Sequence, residues 1–254
     1  GLNLRVRTTD MKVEGENFTM FAVQDITDER RCAELERTFF QDVTNIADAI
    51  RRMTTILERV PSDKQDDVRQ EIATAALQLI EEISSHKILA TAERDELVCV
   101  PETTSTLELL RETVSFLSEH SCAEGRQVVL DRKAVDCALE TDRRLLSRVL
   151  VSMLKNAVEA TSPDRIVTAG CDREGGSVRF WVHNVEVMPH IVALQVFRRS
   201  FSTKGTGRGL GTYSMRLIGE RYLKGRVSFV SERGSGTTFS AVFPLRFTGQ
   251  RASA

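Results

Sequence analysis

The 254-residue chain is 41% hydrophobic and 28% charged, which excludes a disordered chain and supplies enough apolar mass for two modest domains with cores of their own. Its 35 Lys and Arg against 36 Asp and Glu are dispersed and leave a formal net charge of −1, so no nucleic-acid surface is marked and the expected partners are proteins or small molecules. Five cysteines (Cys32, Cys99, Cys122, Cys137 and Cys171), an odd number lying far apart with no C-x-x-C pair, suggest neither a disulfide framework nor a zinc site and fit a reducing cytoplasm. No apolar run approaches the roughly 18 residues of a membrane span; no signal peptide is expected, and any anchor of a parent protein is expected outside this sequence.

Residues 1–27 alternate in strand fashion, with Leu2, Leu4 and Val6 before a Glu14-Gly15-Glu16-Asn17 turn and Phe21 and Val23 after it, which predicts one hairpin. From Asp28 a long helix is expected to about Val60, with Thr27 as N-cap, Asp28 and Glu29 at its positive end, and Pro61 as its stop. Leu35, Phe39 and Val43 are spaced by four, whereas Val43, Ile46, Ile50, Met53, Leu57 and Val60 alternate three and four. That is a coiled-coil seam with a stutter near residue 40. After Pro61-Ser62-Asp63, a second helix to about Leu97 carries Val68, Ile72, Ala75, Leu79 and Ile83 on one stripe. The pair predicts an antiparallel helical hairpin over 28–97 whose stripe needs a partner, and a four-helix homodimer supplies one.

Pro101 and Thr103-Thr104 mark a linker over 98–105. Beyond it the sequence predicts a helix from Thr106 to Glu119, strands Val128 to Leu130 and Cys137 to Leu139, a long helix and a hairpin turning at Gly175-Gly176. A glycine-rich segment with its own helix and a last hairpin turning near Gly234 follow. Helices on one face of a mixed sheet make residues 106–247 an α/β sandwich, with a tail over 248–254.

Two stretches in this part carry chemistry. In the helix around Arg148 to Ala160, Leu145, Leu146, Val149, Leu150, Met153, Leu154 and Ala157 form a core face, while Ser152, Asn156, Glu159 and Ala160 share another. The second face is either merely solvated or functional; asparagine is a mediocre helix former, and its amide oxygen suits a magnesium ion also held by phosphates. In Arg199 to Met215, Gly205, Gly207, Gly209 and Gly211 fall on alternate positions before a run with helical spacing (Leu210, Met215, Leu217, Ile218). Such glycines let a backbone approach phosphate and a helix start offers it free N–H groups, although flexible loops use the same residues.

Together these stretches resemble the asparagine box and lid glycine box of the GHKL ATPases, specifically of sensor histidine kinases. Phe197 and Phe201 to Lys204 resemble the phenylalanine box between them, and Gly234-Ser-Gly-Thr-Thr-Phe239 the closing glycine segment, in the family's order. The resemblance implies a Bergerat-type sandwich that binds ATP or ADP with Mg2+. It implies Asn156 as the metal ligand, and Ser152, Glu159, Asn184, Phe201, Thr203, Lys204, Gly205, Gly207, Arg208, Gly209, Leu210, Gly211 and Thr238 around the nucleotide. The helical hairpin resembles the dimerisation and phosphoacceptor domain of these kinases, implying a homodimer and a response-regulator receiver domain as partner. Residues 1–27 resemble the last two strands of a PAS sensory domain, with Asp25-Ile26-Thr27 as its exit motif, and Gly1 in place of Met fits a start inside such a domain. The expected fold class is thus α+β multidomain, a dimeric helical hairpin followed by an α/β sandwich.

The sequence departs from that family in two places. Where the resembled subgroup reads Phe-Phe-His-Asp, this chain reads Phe39-Phe40-Gln41-Asp42. An imidazole nitrogen has a localised lone pair that attacks phosphorus, whereas a glutamine amide delocalises its own, so Gln41 is not expected to be phosphorylated. His86 on the second helix has no adjacent acid and reads as an ordinary surface histidine, as His120, His183 and His190 read as poor acceptors. In working members the histidine attacks the γ-phosphate in line, Asp42 acts as base, and Lys204 with the lid amides binds phosphate; Asp42-Val43-Thr44-Asn45 also resembles the pattern that positions water on a regulator's phospho-aspartate. Second, Asp-x-Gly-x-Gly is replaced by His183-Asn184-Val185-Glu186-Val187-Met188-Pro189, so the adenine amino group meets the uncharged Asn184 oxygen, at a cost of about 1 to 2 kcal/mol.

Overall fold

In the computed structural model, which describes residues 3–13, 15–118, 121–198 and 211–249, the first element is a long two-stranded ribbon. Strands β1 (Leu4–Val13) and β2 (Glu16–Asp25) run antiparallel with Leu4 opposite Asp25, Val6 opposite Val23 and Val13 opposite Glu16. Next to the Val13–Glu16 pair, Gly15 takes the left-handed backbone at φ 91° that a tight turn needs. Leu4, Val6, Phe21 and Val23 share one face of the ribbon and remain exposed, so the ribbon has little of its own to hold it together.

Helix α1 (Thr27–Leu57) starts one residue earlier than the sequence suggests, and this corrects the role given to Thr27: Ile26 occupies the cap position with no side-chain cap bond. Ile26 is buried and its N–H bonds to the Asn3 carbonyl, so joining ribbon to helix outweighs capping here. The helix stops at Leu57, before Val60, whose N–H with that of Arg59 folds back on the Ile56 carbonyl ahead of Pro61. A short 3-10 turn (Ser62–Lys64) leads to α2 (Gln65–Glu93). Val43, Ile46, Ile50, Met53 and Leu57 on α1 and Val68, Ile72, Ala75 and Leu79 on α2 are half-buried, as the seam requires, but Ile83 is exposed together with Leu77 and Ile80. Opposite the turn, Phe39 stacks on His86 with ring centroids 3.8 Å apart and planes 14° from parallel, so His86 serves packing within the hairpin.

These elements, with α2 as far as His86, make up the first of two units, Gly1–His86 and Lys87–Ala254. The stretch read as a linker belongs to the second unit: β3 (Glu102–Ser105) pairs antiparallel with β5 (Ala138–Thr141), Thr104 and Cys99 are buried, and the Val100 N–H donates to Asp142. β-Branched Thr103 and Thr104 suit that strand. Helix α3 (Thr106–Ser118), β4 (Gln127–Leu130), α4 (Arg143–Ala160), β6 (Ile166–Glu174), β7 (Ser177–Asn184), α5 (His190–Ala193), α6 (Gly211–Arg216), β8 (Arg226–Glu232) and β9 (Gly236–Pro244) complete it.

The main sheet has the order β4-β6-β7-β9-β8, parallel between β4 and β6 and antiparallel elsewhere, with α3, α4 and α6 packed on one face. Val178, Phe180 and Val182 of β7 and Phe239, Ala241 and Phe243 of β9 turn to those helices and are buried. Leu145, Leu146, Val149, Leu150, Met153, Leu154 and Ala157 of α4 meet them, so the face read as core is core. Burying each large apolar side chain contributes about 1.5 to 3 kcal/mol. Asp142, itself buried, caps α4 by accepting from the Leu145 N–H at 3.0 Å. After α6 the chain widens into a π-helical turn (Leu217–Tyr222), in which Gly219 lies so close to Val227 that a Cβ would sit 2.7 Å from its methyl group. Tyr222 Oη donates to the Ala92 carbonyl, and Arg221 pairs with Asp95, seating the end of α2 on this turn.

Candidate nucleotide site

The second face of α4 is where the predicted residues meet. Asp142 sets the start of the helix, and the 3.6-residue period then places Ser152, Asn156 and Glu159 along its half-buried side. Ser152 Oγ donates to the Gly211 carbonyl at 2.9 Å, and a Cβ on Gly211 would sit 3.3 Å from that oxygen and 3.8 Å from Asn156 Nδ2. The exit of the glycine-rich segment is thus held against Ser152 and Asn156. Its two sides are tied together as well, because buried Thr212 donates from its hydroxyl to the Val196 carbonyl. Phe197 packs at the rim on Phe229 and Phe239, under Arg216. Phe201, Thr203, Lys204, Gly205, Gly207, Arg208, Gly209 and Leu210 lie outside the described residues, as does His120.

Asn156 Nδ2 donates to the Ser152 carbonyl one turn back at 2.7 Å, which leaves the amide oxygen as the outward group. A single neutral oxygen suits a magnesium ion that takes its other ligands from phosphates and water, and among the described residues no cluster of three His, Cys, Asp or Glu side chains forms a cage for a metal. The donor set fits that ion.

Asn184 closes β7 on the face that packs against α4 and is 2% exposed. Its Nδ2 donates to the Ala157 carbonyl at 3.2 Å and to Thr161 Oγ1 at 3.0 Å. The segment after it lacks the family's glycines and is pinned by side chains instead. The Met188 N–H donates to Ser231 Oγ, which lies 2.8 Å from Thr237 Oγ1, and Thr237 donates to the Glu186 carbonyl at 2.7 Å. The Glu186 carboxylate accepts from the Ser162 hydroxyl and N–H, which hold its pKa below the ordinary value. Gly236 passes so close that a Cβ would fall 2.2 Å from the Asn184 carbonyl.

The structure corrects one assignment. Thr238, placed at the nucleotide from the sequence, lies opposite His183 on the outer face of the sheet, with its hydroxyl 3.0 Å from His183 Nδ1. Strand alternation instead puts Thr237 opposite Asn184 on the inner face. Thr161 and Thr237 were not singled out by motif; the inward run Phe239, Ala241, Phe243 carried the signal for Thr237, since counting back by two reaches it.

The description Histidine kinase-, DNA gyrase B-, and HSP90-like ATPase matches residues 141–247, the span that contains all of these groups. Over these residues the chain is similar to that ATPase family. Sensor protein TdiS of Thauera aromatica is 27% identical over 276 residues, covering 95% of this chain and 49% of TdiS. Sporulation kinase C of Bacillus subtilis (strain 168) is 26% identical over 142 residues, covering 55% of this chain and 33% of that kinase. The chain therefore spans half the length, or less, of these curated relatives. Among solved structures, the catalytic domain of histidine kinase ThkA superposes with a TM-score of 0.51 at 26% identity, over 57% of this chain and 97% of that one. ThkA in complex with response regulator protein TrrA shares the fold over 96% of this chain, with a TM-score of 0.51 at 18% identity.

Proposed function

We propose that this chain is the core of a cytoplasmic sensor histidine kinase whose ATPase-type domain binds Mg-ATP, and whose helical hairpin pairs with a second copy and meets a response-regulator receiver domain. The observation that carries the proposal is the meeting of Ser152, Asn156 and Gly211 inside a domain that matches an ATPase family. Bound Mg-ATP supplies an electrophilic γ-phosphorus. Asn156 offers its oxygen to the magnesium, Ser152 orients the lid exit through Gly211, Lys204 and the lid glycines take the phosphates, and Asn184 with Thr237 lines the base end. The ribbon of β1 and β2 is the closing hairpin of a PAS sensory domain.

On α1, Phe40, Gln41 and Asn45 are exposed and Asp42 is half-buried; Gln41 and Asn45, four apart, share one side of the helix. With Gln41 at the acceptor position the chain does not autophosphorylate, while Asp42 and Asn45, three residues apart, retain the arrangement for dephosphorylating a regulator. Gln41 also favours a second reading, a scaffold that transmits helix packing without chemistry. Incubation of wild type and Gln41→His with γ-labelled Mg-ATP separates them. The kinase reading expects no label on the wild type and acid-labile label on the variant. A variant that binds nucleotide and dimerises yet takes no label supports the scaffold.

A further inference from the structure

Helix α2 changes its company within one turn. His86 stacks on Phe39 of α1 at 3.8 Å, yet Ile88, two residues later, packs against the core of the sandwich, Leu89 is buried, and Ala92 has no exposed surface. The division between the two units falls at the same place, between His86 and Lys87, inside an unbroken helix that runs on to Glu93. Past the helix the chain is tied down. The N–H groups of Asp95 and Glu96 fold back on the Ala92 and Thr91 carbonyls, a helix cap in which Asp95 takes the left-handed backbone at φ 63°. The same Ala92 carbonyl accepts from Tyr222 Oη at 2.6 Å, the Asp95 carboxylate pairs with Arg221, and the Val100 N–H is held by buried Asp142 at 3.0 Å. Residues 92–100 are therefore strapped to the sandwich.

We propose that the joint about which the sandwich moves relative to the helical hairpin is the turn of α2 centred on Lys87, and not the stretch 98–105 that reads as a linker. A joint needs backbone that can give between two anchors that hold. One anchor is the stack of Phe39 on His86; the other is the clamp of Arg221 and Tyr222 on the end of α2. Across Lys87 the shape of the chain rests on the helix bonds from the N–H groups of residues 88–90 to the carbonyls of residues 84–86. Two of those three carbonyls belong to Ser84 and Ser85, a pair of weak helix formers of the kind at which helices kink. Lys87 itself is exposed, so its side chain adds no buried packing to those bonds. A change of packing in the hairpin reaches the sandwich as a bend in α2, whose last turns travel with the sandwich.

The test is hydrogen–deuterium exchange of the full chain, read by mass spectrometry, with circular dichroism to verify folding of two double variants. One is Ser84→Ala with Ser85→Ala, and the other is Tyr222→Phe with Asp95→Gly. In the wild type the amides of residues 88–90 are expected to exchange at least about 10-fold faster than those of residues 94–100. The alanine pair is expected to slow residues 88–90 by about 5-fold and to leave residues 94–100 unchanged. Tyr222→Phe with Asp95→Gly keeps the left-handed backbone but removes both side-chain ties, and is expected to speed residues 94–100 by at least about 5-fold while residues 88–90 stay as they were. A wild type in which residues 94–100 exchange faster than residues 88–90 overturns the proposal, as does an alanine pair that leaves residues 88–90 unchanged. Unchanged exchange of residues 94–100 in the second variant removes the clamp, and with it the anchor that the joint requires.

Discussion

Replacing Asn184 by aspartate restores the residue type that the resembled kinases use at this place, yet here it is expected to damage the domain. The two bonds from Asn184 Nδ2, at 3.2 Å to the Ala157 carbonyl and 3.0 Å to Thr161 Oγ1, become oxygen against oxygen in a site that is 2% exposed. Each lost bond costs about 1 kcal/mol, and an uncompensated buried charge raises the total to about 3 to 5 kcal/mol. For a domain of this size that corresponds to a fall in Tm of about 6 to 20 °C. The pH dependence has a definite sign. Burial between two acceptors raises the folded-state pKa of the new carboxyl, so the penalty is absent below the unfolded pKa of about 3.9 and grows until pH passes the folded value. Protonated, the carboxyl donates one hydrogen bond inward. Differential scanning calorimetry of both proteins at pH 5 and pH 8 should therefore show a wider gap at pH 8. A variant that melts within about 2 °C of wild type at pH 8, or a gap that does not narrow at pH 5, refutes the reasoning.

Gly236→Ala places a Cβ 2.2 Å from the Asn184 carbonyl at a φ of 82°, and urea titration should show a loss of at least about 3 kcal/mol. Met153→Ala empties a fully buried position on the core face of α4 and should cost about 2 to 5 kcal/mol in the same assay. Cys171 is buried, and that burial pushes its thiol up to about 11, so mass spectrometry after iodoacetamide treatment at pH 8 should find it unmodified in the native protein and modified in urea. Asn45→Ala should slow loss of phosphate from a phosphorylated cognate receiver domain by at least about tenfold relative to wild type, and an equal rate removes Asn45 from that chemistry.

Period and packing made α4 readable before any coordinates. Its core face and its Ser152, Asn156, Glu159 face differ by burial as the 3.6-residue spacing requires, because every turn of that helix meets the same sheet. The strands around it were harder. Two adjacent threonines differ only in parity, and Thr237 was separated from Thr238 by its pairing with Asn184, a contact 53 residues away in sequence. The stretch 98–105 reads as a linker because a four-residue strand leaves almost no periodic signal; its identity comes from the distant partner β5 and from Asp142 accepting the Val100 N–H. The π-helical turn after α6 is equally hidden, since Leu217 and Ile218 fit an α-helical spacing, and the bond from the Leu223 N–H to the Ile218 carbonyl five residues back distinguishes the two. Asn184 was visible as a substitution, but its bond to Thr161 was not, because Thr161 lies 23 residues earlier and belongs to no motif.

The most direct test of magnesium-dependent nucleotide binding at α4 is a thermal melt with millimolar ADP, with and without Mg2+, on wild type and Asn156→Ala. Tm is expected to rise by several degrees in the wild type only when both ADP and Mg2+ are present, since a ligand at about 100 times its Kd adds about 2.7 kcal/mol, and Asn156→Ala is expected to abolish the rise. An unchanged wild-type melting curve, or an Asn156→Ala variant stabilised as strongly as wild type, would contradict it.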